Sequence, residues 1–264
     1  MYLITIIVLS FNVGSLGDMA VVPKGTYQPL YMEPKSKLPA ASLKNRLKKG
    51  DKISVESFLL DRQAVTRSEF ARFVEKNPRW TRSRVKRILA ESTYLKDWIS
   101  DIDPGSTEAT DSPVRYVSWF AARAYCRAEG KRLPTLNEWE YVATQFSSTK
   151  NLNQSILDWY SKPNPTRFPK VRSGPVNDFG VYDLHGIIWE WVEDFNSGFV
   201  TGESREDSSP DGASFCGAGG LNASDFENYA AFMRFGFRSS LKGAFSLANL
   251  GFRCAKNNVK GTAQ

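Results

Sequence analysis

Polar and apolar residues alternate from Ile53 to Leu60, and this period of two predicts a β-strand with one buried face. Such regular patterns are short in this chain and are separated by turn-forming stretches, for example Ile102–Ser106 with its Pro-Gly pair. The pattern therefore predicts a few helices, several short strands and a large share of irregular backbone.

A first helix is predicted to begin at Arg67. Thr66 and Glu69 have the spacing of a capping box, in which the hydroxyl and the carboxylate each bond to a free amide at the helix start. Apolar residues then recur at helical intervals on one face, and the helix should end at Asn77 because the residue before a proline avoids helical geometry.

Two more helices are predicted in the middle of the chain. The first covers residues 119–129 and is followed by Gly130, a typical helix-ending residue. The second follows another capping box, formed by Thr135 and Glu138.

The remaining pattern is less regular. Residues 80–95 are basic and carry Val85, Ile88 and Leu89 at helical spacing, so residues 79–100 are predicted to form a basic helical insertion. Residues 147–175 are polar and contain several prolines, and we predict that they form a long loop.

Composition indicates a folded globular protein. The chain has 264 residues, of which 41% are hydrophobic, 24% charged and 13% aromatic. Disordered chains are poor in aromatic residues. No internal repeat or dividing linker is visible, so we expect a single domain.

The net charge of +7 lies mainly in two basic patches, residues 35–52 and 79–96. We expect these patches to be solvated loops and an exposed helix face. The alternative is peripheral contact with an anionic partner, such as lipid headgroups, a glycan or an acidic protein. The aromatic and basic motif of RNA-binding domains is absent, so no nucleic-acid partner is expected.

Residues 1–17 form an apolar stretch followed by small residues, and we predict that they are a signal peptide directing export to the periplasm or cell envelope. The stretch is too short to span a bilayer. It lacks Lys or Arg before the apolar run, and the competing interpretation is a buried first β-strand. Residues 18–264 then form the domain.

Four sequence blocks, in order, resemble the formylglycine-generating enzyme family of sulfatase-modifying factor domains. They are similar to its E-V-T-N-x-x-[FY], P-V-x-x-V-S-W, G-K-R-L-P-T-E-x-E-W-E-Y and G-L-x-D-[ML]-x-G-N-V-W-E-W segments, and a closing N-L-G-F-R-C follows. Residues 18–27 also resemble the family's opening strand. The four blocks are residues 64–70 (AVTRSEF), 111–119 (DSPVRYVSW), 130–141 (GKRLPTLNEWEY) and 178–194 (DFGVYDLHGIIWEWVED), and the closing segment is residues 249–254 (NLGFRC).

The resemblance implies one irregular α+β domain of the C-type-lectin-like kind, with little regular secondary structure. It also implies a disulfide between Cys126 and Cys254, which would require an oxidising compartment. The third cysteine, Cys216, is then a single thiol that we expect to be a small buried residue.

The copper-binding cysteine pair of the family is missing. In the family the two cysteines lie five residues apart, between a Gly-Gly turn and an R-x-A-x-R segment. In this chain the two flanking segments are Gly219-Gly220 and Arg234–Arg238. Two thiolates suit Cu(I), and hydroxyl, carboxylate and phenol groups do not replace them. We therefore expect neither the catalytic pair nor copper. Counted from the glycines the positions hold Ser224 and Tyr229, and counted from the arginines they hold Asp225 and Ala230.

The resemblance also points to two other kinds of metal site. The family's calcium loop keeps Glu190 but has Ile187 in place of asparagine, so Glu190 is a weak candidate calcium ligand. A related iron enzyme class uses several histidines, whereas this chain has only His185, which we expect to be structural.

A binding surface is the remaining prediction. In diversity-generating proteins of this fold, the segment after the Gly-Gly turn carries exposed ligand-contacting side chains. We expect a catalytically degenerate domain that binds a protein or glycan ligand, or joins an envelope complex. The alternative is a metal-dependent oxidase of the same family, acting on a protein cysteine or a small substrate. The candidate ligand-binding residues combine aromatic and short polar side chains and are Asn222, Ser224, Asp225, Phe226, Asn228, Tyr229 and Phe232.

Overall fold

The computed structural model describes residues 18–29, 52–105, 110–147, 152–195 and 234–258, apart from residues 235 and 239. Four helices and seven short strands have defined bounds in these ranges. In chain order they are β1 (Met19–Val22), β2 (Gly25–Tyr27), β3 (Ile53–Val55), β4 (Phe58–Asp61), α1 (Arg67–Lys76), α2 (Trp119–Ala128), α3 (Leu136–Ala143), α4 (Leu152–Tyr160), β5 (Trp189–Glu190), β6 (Leu250–Gly251) and β7 (Ala255–Asn257).

The strands form three small sheets. Antiparallel β1, β4 and β7 make a three-stranded sheet with β4 in the centre, so the C-terminal strand completes a sheet begun by the first strand. Strands β2 and β3 form an antiparallel pair, and β5 and β6 form a parallel pair. Helices and small sheets thus belong to one α+β domain, as predicted.

The single strand predicted over residues 53–60 is divided into β3 and β4, which belong to different sheets. Val55 and Phe58 are both buried although they lie three residues apart, so the alternation changes phase between them. Ser57 occupies this break and donates a hydrogen bond from its hydroxyl to the Val22 carbonyl, 2.9 Å away. A change of phase lets the chain leave one sheet and enter the next.

The three predicted helix starts are confirmed. Both capping boxes form, with Thr66 and Glu69 at the start of α1 and Thr135 and Glu138 at the start of α3. Helix α2 begins after Ser118, and Gly130 beyond its end has a φ of 67°. Glycine adopts this left-handed geometry without steric penalty.

The predicted helix over residues 80–95 is wrong. Only Pro78–Trp80 forms a 3-10 turn there, and the rest of the insertion consists of turns. Single turns are closed by local bonds such as that from the Val85 amide to the Thr81 carbonyl, but other amides bond to distant parts of the chain, for example the Glu91 amide to Ala244 and the Leu95 amide to Tyr116. Tertiary contacts therefore override the helical spacing of Val85 and Leu89.

The long loop predicted for residues 147–175 is also wrong in part, because it contains α4. Ile156 is buried on this helix, and Trp159 is half-buried one turn later. The prolines that suggested a loop all follow the end of the helix. Proline disrupts a helix only when it lies in the helix interior, so prolines that follow the helix are compatible with α4.

Aromatic side chains fill the core where regular structure is scarce. Phe70 of α1 stacks on Tyr125 of α2 with ring centres 5.8 Å apart, and Phe252 meets Tyr125 edge to face at 5.4 Å. Trp191 is completely buried and donates from Nε1 to the Val117 carbonyl at 2.9 Å. The last motif of the sequence is thus packed against the first helix.

The disulfide implied by the resemblance joins Cys126 of α2 to Cys254, with a sulfur–sulfur distance of 2.01 Å and a separation of 128 residues. Both residues are fully buried. The bridge fixes α2 to the start of β7. None of the helices in the described residues is both long and apolar enough to cross a bilayer. The predicted signal peptide lies outside the described residues.

Candidate functional site

A small cavity of about 50 Å³ lies between α3, the chain around β5 and the helical residues within 234–240. It adjoins the C-terminal end of the segment predicted to bind a ligand. Its walls combine tryptophan and phenylalanine rings with two arginines, Arg234 and Arg238. Arg234 in this wall follows Phe232, the last predicted ligand-binding residue, by two positions in the sequence.

Glu190 lies beside the cavity and pairs with Arg253 in a fully buried ion pair. The two carboxylate oxygens accept bonds from Nε and Nη2 of Arg253, each 2.7 Å long. Trp139 adds a bond from Nε1 at 2.8 Å. The guanidinium neutralises this carboxylate and bonds to both of its oxygens. A calcium-binding role for Glu190 stays a prediction.

Arg234 is the strongest candidate for a ligand contact. Its side chain covers the ring of Trp139 at 4.6 Å, and the residue is only 8% exposed. Its Nη1 atom is buried and has no hydrogen-bond partner among the described residues. A buried donor without an acceptor is unfavourable, so an anionic or carbonyl group would be stabilised at this position.

Arg238 lies one helical turn beyond Arg234 and faces Glu140 at 3.8 Å. Burial lowers the pKa of the Arg238 guanidinium, and the nearby Glu140 carboxylate opposes that shift. Arg234 and Arg238 therefore line the cavity together with Glu190, which is paired with Arg253, while Glu140 and Asp194 act electrostatically on Arg238.

An aromatic wall faces these charges. Trp189 of β5 packs against Phe237 in a tilted arrangement with ring centres 4.3 Å apart, and Trp159 of α4 lies 5.5 Å from Trp189. Helix α4, which the sequence did not predict, supplies one of the three rings. Ring faces of this kind suit apolar or planar groups.

His185 is buried and bonds through Nε2 to the Ala143 carbonyl at 3.0 Å. Burial, assisted by the charge of Arg234, lowers the pKa of His185 to about 3, so the imidazole is neutral near pH 7. Its ring packs edge to face on Trp139 at 5.7 Å. Within the described ranges no cluster of three His, Cys, Asp or Glu residues could hold a metal ion.

Several predicted site residues lie outside the described residues: Asn222, Ser224, Asp225, Phe226, Asn228, Tyr229, Ala230 and Phe232, together with Cys216. Sequence reasoning treated Arg234 and Arg238 only as the end of that segment and missed their place in the cavity. Their i and i+4 spacing was the available signal, because such residues share one face of a helix.

The family comparison agrees with this fold. Residues 9–258 match the sulfatase-modifying factor enzyme 1-like domain, so the chain belongs to this family of formylglycine-generating-enzyme-like proteins. The match begins inside the stretch predicted as a signal peptide.

Two relatives show the range of the family. The chain is 26% identical over 265 residues to the formylglycine-generating enzyme of Bos taurus, covering 80% of this chain and 68% of the relative. It is 38% identical over 118 residues to the inactive C-alpha-formylglycine-generating enzyme 2 of Bos taurus, covering 36% of this chain and 38% of the relative. Membership therefore includes proteins named as active and as inactive, and activity must be argued from the site.

Among solved structures, variable protein 1 of Treponema denticola aligns with 91% of this chain and 95% of its own, at a TM-score of 0.50 and 16% identity. This likeness supports the shared fold alone.

Proposed function

We propose that this protein is a catalytically degenerate member of its family that binds a protein or glycan ligand in the cell envelope. The ligand-binding surface would consist of the segment from Asn222 to Phe232, continued by the arginine and aromatic cavity that contains Arg234 and Trp189.

The number of free cysteines is the observation that carries this proposal. The sequence contains three cysteines, and Cys126 and Cys254 are bonded to each other in the core. Only Cys216 is left, so the chain cannot supply the two thiolates of a Cu(I) site while its disulfide is intact. Neither position of the family pair contains cysteine in either alignment register.

The chemistry of the cavity favours binding. Arg234 offers a buried donor, and Trp189 and Phe237 offer aromatic rings. Groups of these types bind carboxylate, carbonyl and sugar groups in recognition sites. His185 is neutral and already bonded to Ala143, so it does not contribute a proton donor at the surface. The described part of the cavity thus holds recognition groups without a nucleophile or base in reach.

Location in an oxidising compartment is supported by the same disulfide. Cystine bridges persist in the periplasm and outside the cell and are rare in reducing cytosol. A buried bridge that joins residues 128 positions apart is part of the fold. This is consistent with export.

The first experiment tests catalysis. The oxidised protein would be incubated with Cu(I) and with a cysteine-containing peptide under oxygen, and bound copper and aldehyde product would be measured by mass spectrometry. We expect neither for the native chain. A matched variant with Ser224→Cys and Tyr229→Cys, or with Asp225→Cys and Ala230→Cys, should gain copper because it restores two thiolates five residues apart. Stoichiometric copper with aldehyde formation by the native chain would instead support the family oxidase.

The second part of the test concerns binding. Glycan and peptide arrays would be probed with the native protein, with Tyr229→Ala and with Arg234→Gln. Tyr182→Ala serves as a control because Tyr182 stacks against Arg172, away from the cavity. A signal that is lost in the first two variants and kept in the control is expected. Equal signals in all four proteins would contradict this choice of surface.

A further inference from the structure

The insertion that follows α1 exposes a dense group of positive charges. Residues 79–88 contain five basic residues and no acidic residue, and all five basic side chains are exposed. Ile88, which follows the last of them, is 78% exposed. We call this group the basic turn surface; it consists of Arg79, Arg82, Arg84, Lys86, Arg87 and Ile88.

The backbone beneath the basic turn surface is held by two turns. The Val85 amide bonds to the Thr81 carbonyl at 3.0 Å, and the Ala90 amide bonds to the Lys86 carbonyl at 3.1 Å. Trp80 and Ala90, on either side, are buried in the core. Arg82 adds bonds to the Leu95 and Trp98 carbonyls. The charges are therefore presented by a fixed scaffold.

Four of the five cations form no close ion pair with a carboxylate of the described residues. Across the described ranges, no ion pair within 4.0 Å involves Arg79, Arg84, Lys86 or Arg87. Asp101 accepts a bond from the Ser83 amide and also attracts Arg82 and Arg84 electrostatically, whereas Glu91 accepts a bond from the Ser246 amide. The surface therefore retains a positive potential toward solvent.

Exposed aliphatic side chains occur in the same insertion. Large hydrophobic residues are mostly buried in this domain, and of the five that are exposed among the described residues, three lie within residues 88–102. Ile88 follows directly after two cations, Lys86 and Arg87. A soluble polyanion would pair with the cations but leave Ile88 in water. An anionic bilayer can bind both the cations and Ile88, because its headgroups attract the cations and its interface accepts the aliphatic side chain.

We propose that the basic turn surface docks this domain on a membrane containing anionic phospholipid. The arginine and lysine side chains would contact headgroup phosphates, and Ile88 would enter the interface. This proposal is independent of the ligand-binding cavity, since it uses no residue of that site.

Vesicle partitioning tests the proposal with the full chain. Native protein should bind vesicles of phosphatidylcholine mixed with phosphatidylglycerol, bind weakly to phosphatidylcholine alone, and dissociate as salt rises. Each cation near an anionic surface contributes roughly fivefold to partitioning, so the triple variant Arg84→Gln, Lys86→Gln, Arg87→Gln should bind about 100-fold more weakly. Ile88→Ser should weaken binding by about tenfold through loss of aliphatic contact.

A matched control has the same net charge as the triple variant but an intact basic turn surface. Arg127→Gln, Lys162→Gln and Arg167→Gln remove three exposed cations from other segments and should leave vesicle binding nearly unchanged. Equal losses in the control and the triple variant would overturn the proposal, as would equal binding to neutral and anionic vesicles. Tight binding to soluble heparin that does not respond to Ile88→Ser, without vesicle binding, would assign the surface to an acidic polymer.

Discussion

At the scale of single residues, Glu190 and Arg253 show how this family's short motifs depend on each other. They are 63 residues apart in sequence, and their side chains are 1% and 0% exposed. Arg253 also donates to the Asp61, Arg62 and Tyr182 carbonyls. One guanidinium therefore connects the Trp-Glu-Trp segment, the end of β4 and the loop before β5.

Substitution of Glu190→Gln should destabilise the domain strongly, because Arg253 would keep its charge in the core without a counter-ion. Breaking a buried pair in this way costs about 3–5 kcal/mol. The measurement is the free energy of unfolding from urea titration. As a control, Glu56→Gln breaks the Lys24–Glu56 pair, whose side chains are 64% and 77% exposed, and should change stability by about 1 kcal/mol or less. Similar losses of unfolding free energy for the two substitutions would show that other groups stabilise the charge of Arg253 when Glu190 is replaced.

At the scale of elements, the helices are short and their starts are strongly specified. Helix α1 has 10 residues and α3 has 8, lengths at which an isolated helix is unstable in water. Each begins with a complete capping box, and the amide of Leu136 in α3 also donates to the carboxylate of Asp194 at 2.7 Å. Capping bonds and tertiary packing therefore stabilise α1 and α3, which are too short to be stable alone.

The substitutions Thr66→Ala and Thr135→Ala should each lower the free energy of unfolding by about 1 kcal/mol, because each removes the hydroxyl acceptor at a helix start. Thermal or urea unfolding with circular dichroism measures this change. Thr26 lies exposed in β2 and caps no helix, so Thr26→Ala is the matched control and should stay within about 0.5 kcal/mol. A loss at Thr26 as large as at the caps would contradict this explanation.

At the scale of the whole molecule, the disulfide compensates for the scarcity of regular structure. The three sheets contain two or three short strands each, and the C-terminal β7 must pair with β4 across most of the sequence. The bridge between Cys126 and Cys254 keeps the ends of this long loop together in the unfolded chain. Closing a loop of that length stabilises the fold through chain entropy, by about 4–5 kcal/mol on the usual model.

Reductant should therefore lower the urea midpoint of the native protein, with a loss of about 4–5 kcal/mol in the free energy of unfolding. The double variant Cys126→Ala, Cys254→Ala should start from the lower stability and show no response to reductant. Cys216→Ser should respond to reductant as the native chain does. An unchanged midpoint for the native protein in reductant would refute a stabilising bridge.

Local predictions succeeded where the signal was confined to a few neighbouring residues. The capping boxes at Thr66 and Thr135 and the glycine after α2 specify helix ends through bonds within one turn, so short sequence spacing was sufficient. The prediction for residues 80–95 failed because apolar spacing does not reveal which distant backbone groups will compete for hydrogen bonds. Amide partners such as Ala244 and Tyr116 come from other parts of the chain.

For the candidate site, too, the sequence was sufficient where residue identity decides and insufficient where distant contacts decide. The absence of a copper-binding cysteine pair follows from the residues themselves, since no folding converts Ser224 or Tyr229 into a thiolate. The side chains that surround the candidate site in three dimensions could not be obtained from the sequence. The sequence does not show that Arg253 lies 2.7 Å from Glu190, or that the guanidinium of Arg234 lies over the ring of Trp139.

The sequence by itself thus determined the family, the helix starts and the chemistry that the chain lacks, because these depend on residue identity and close spacing. The tertiary structure decided which charges are paired in the core, which rings line the cavity and which cations face solvent. These properties arise from contacts between residues far apart in sequence, whose energies depend on burial and distance.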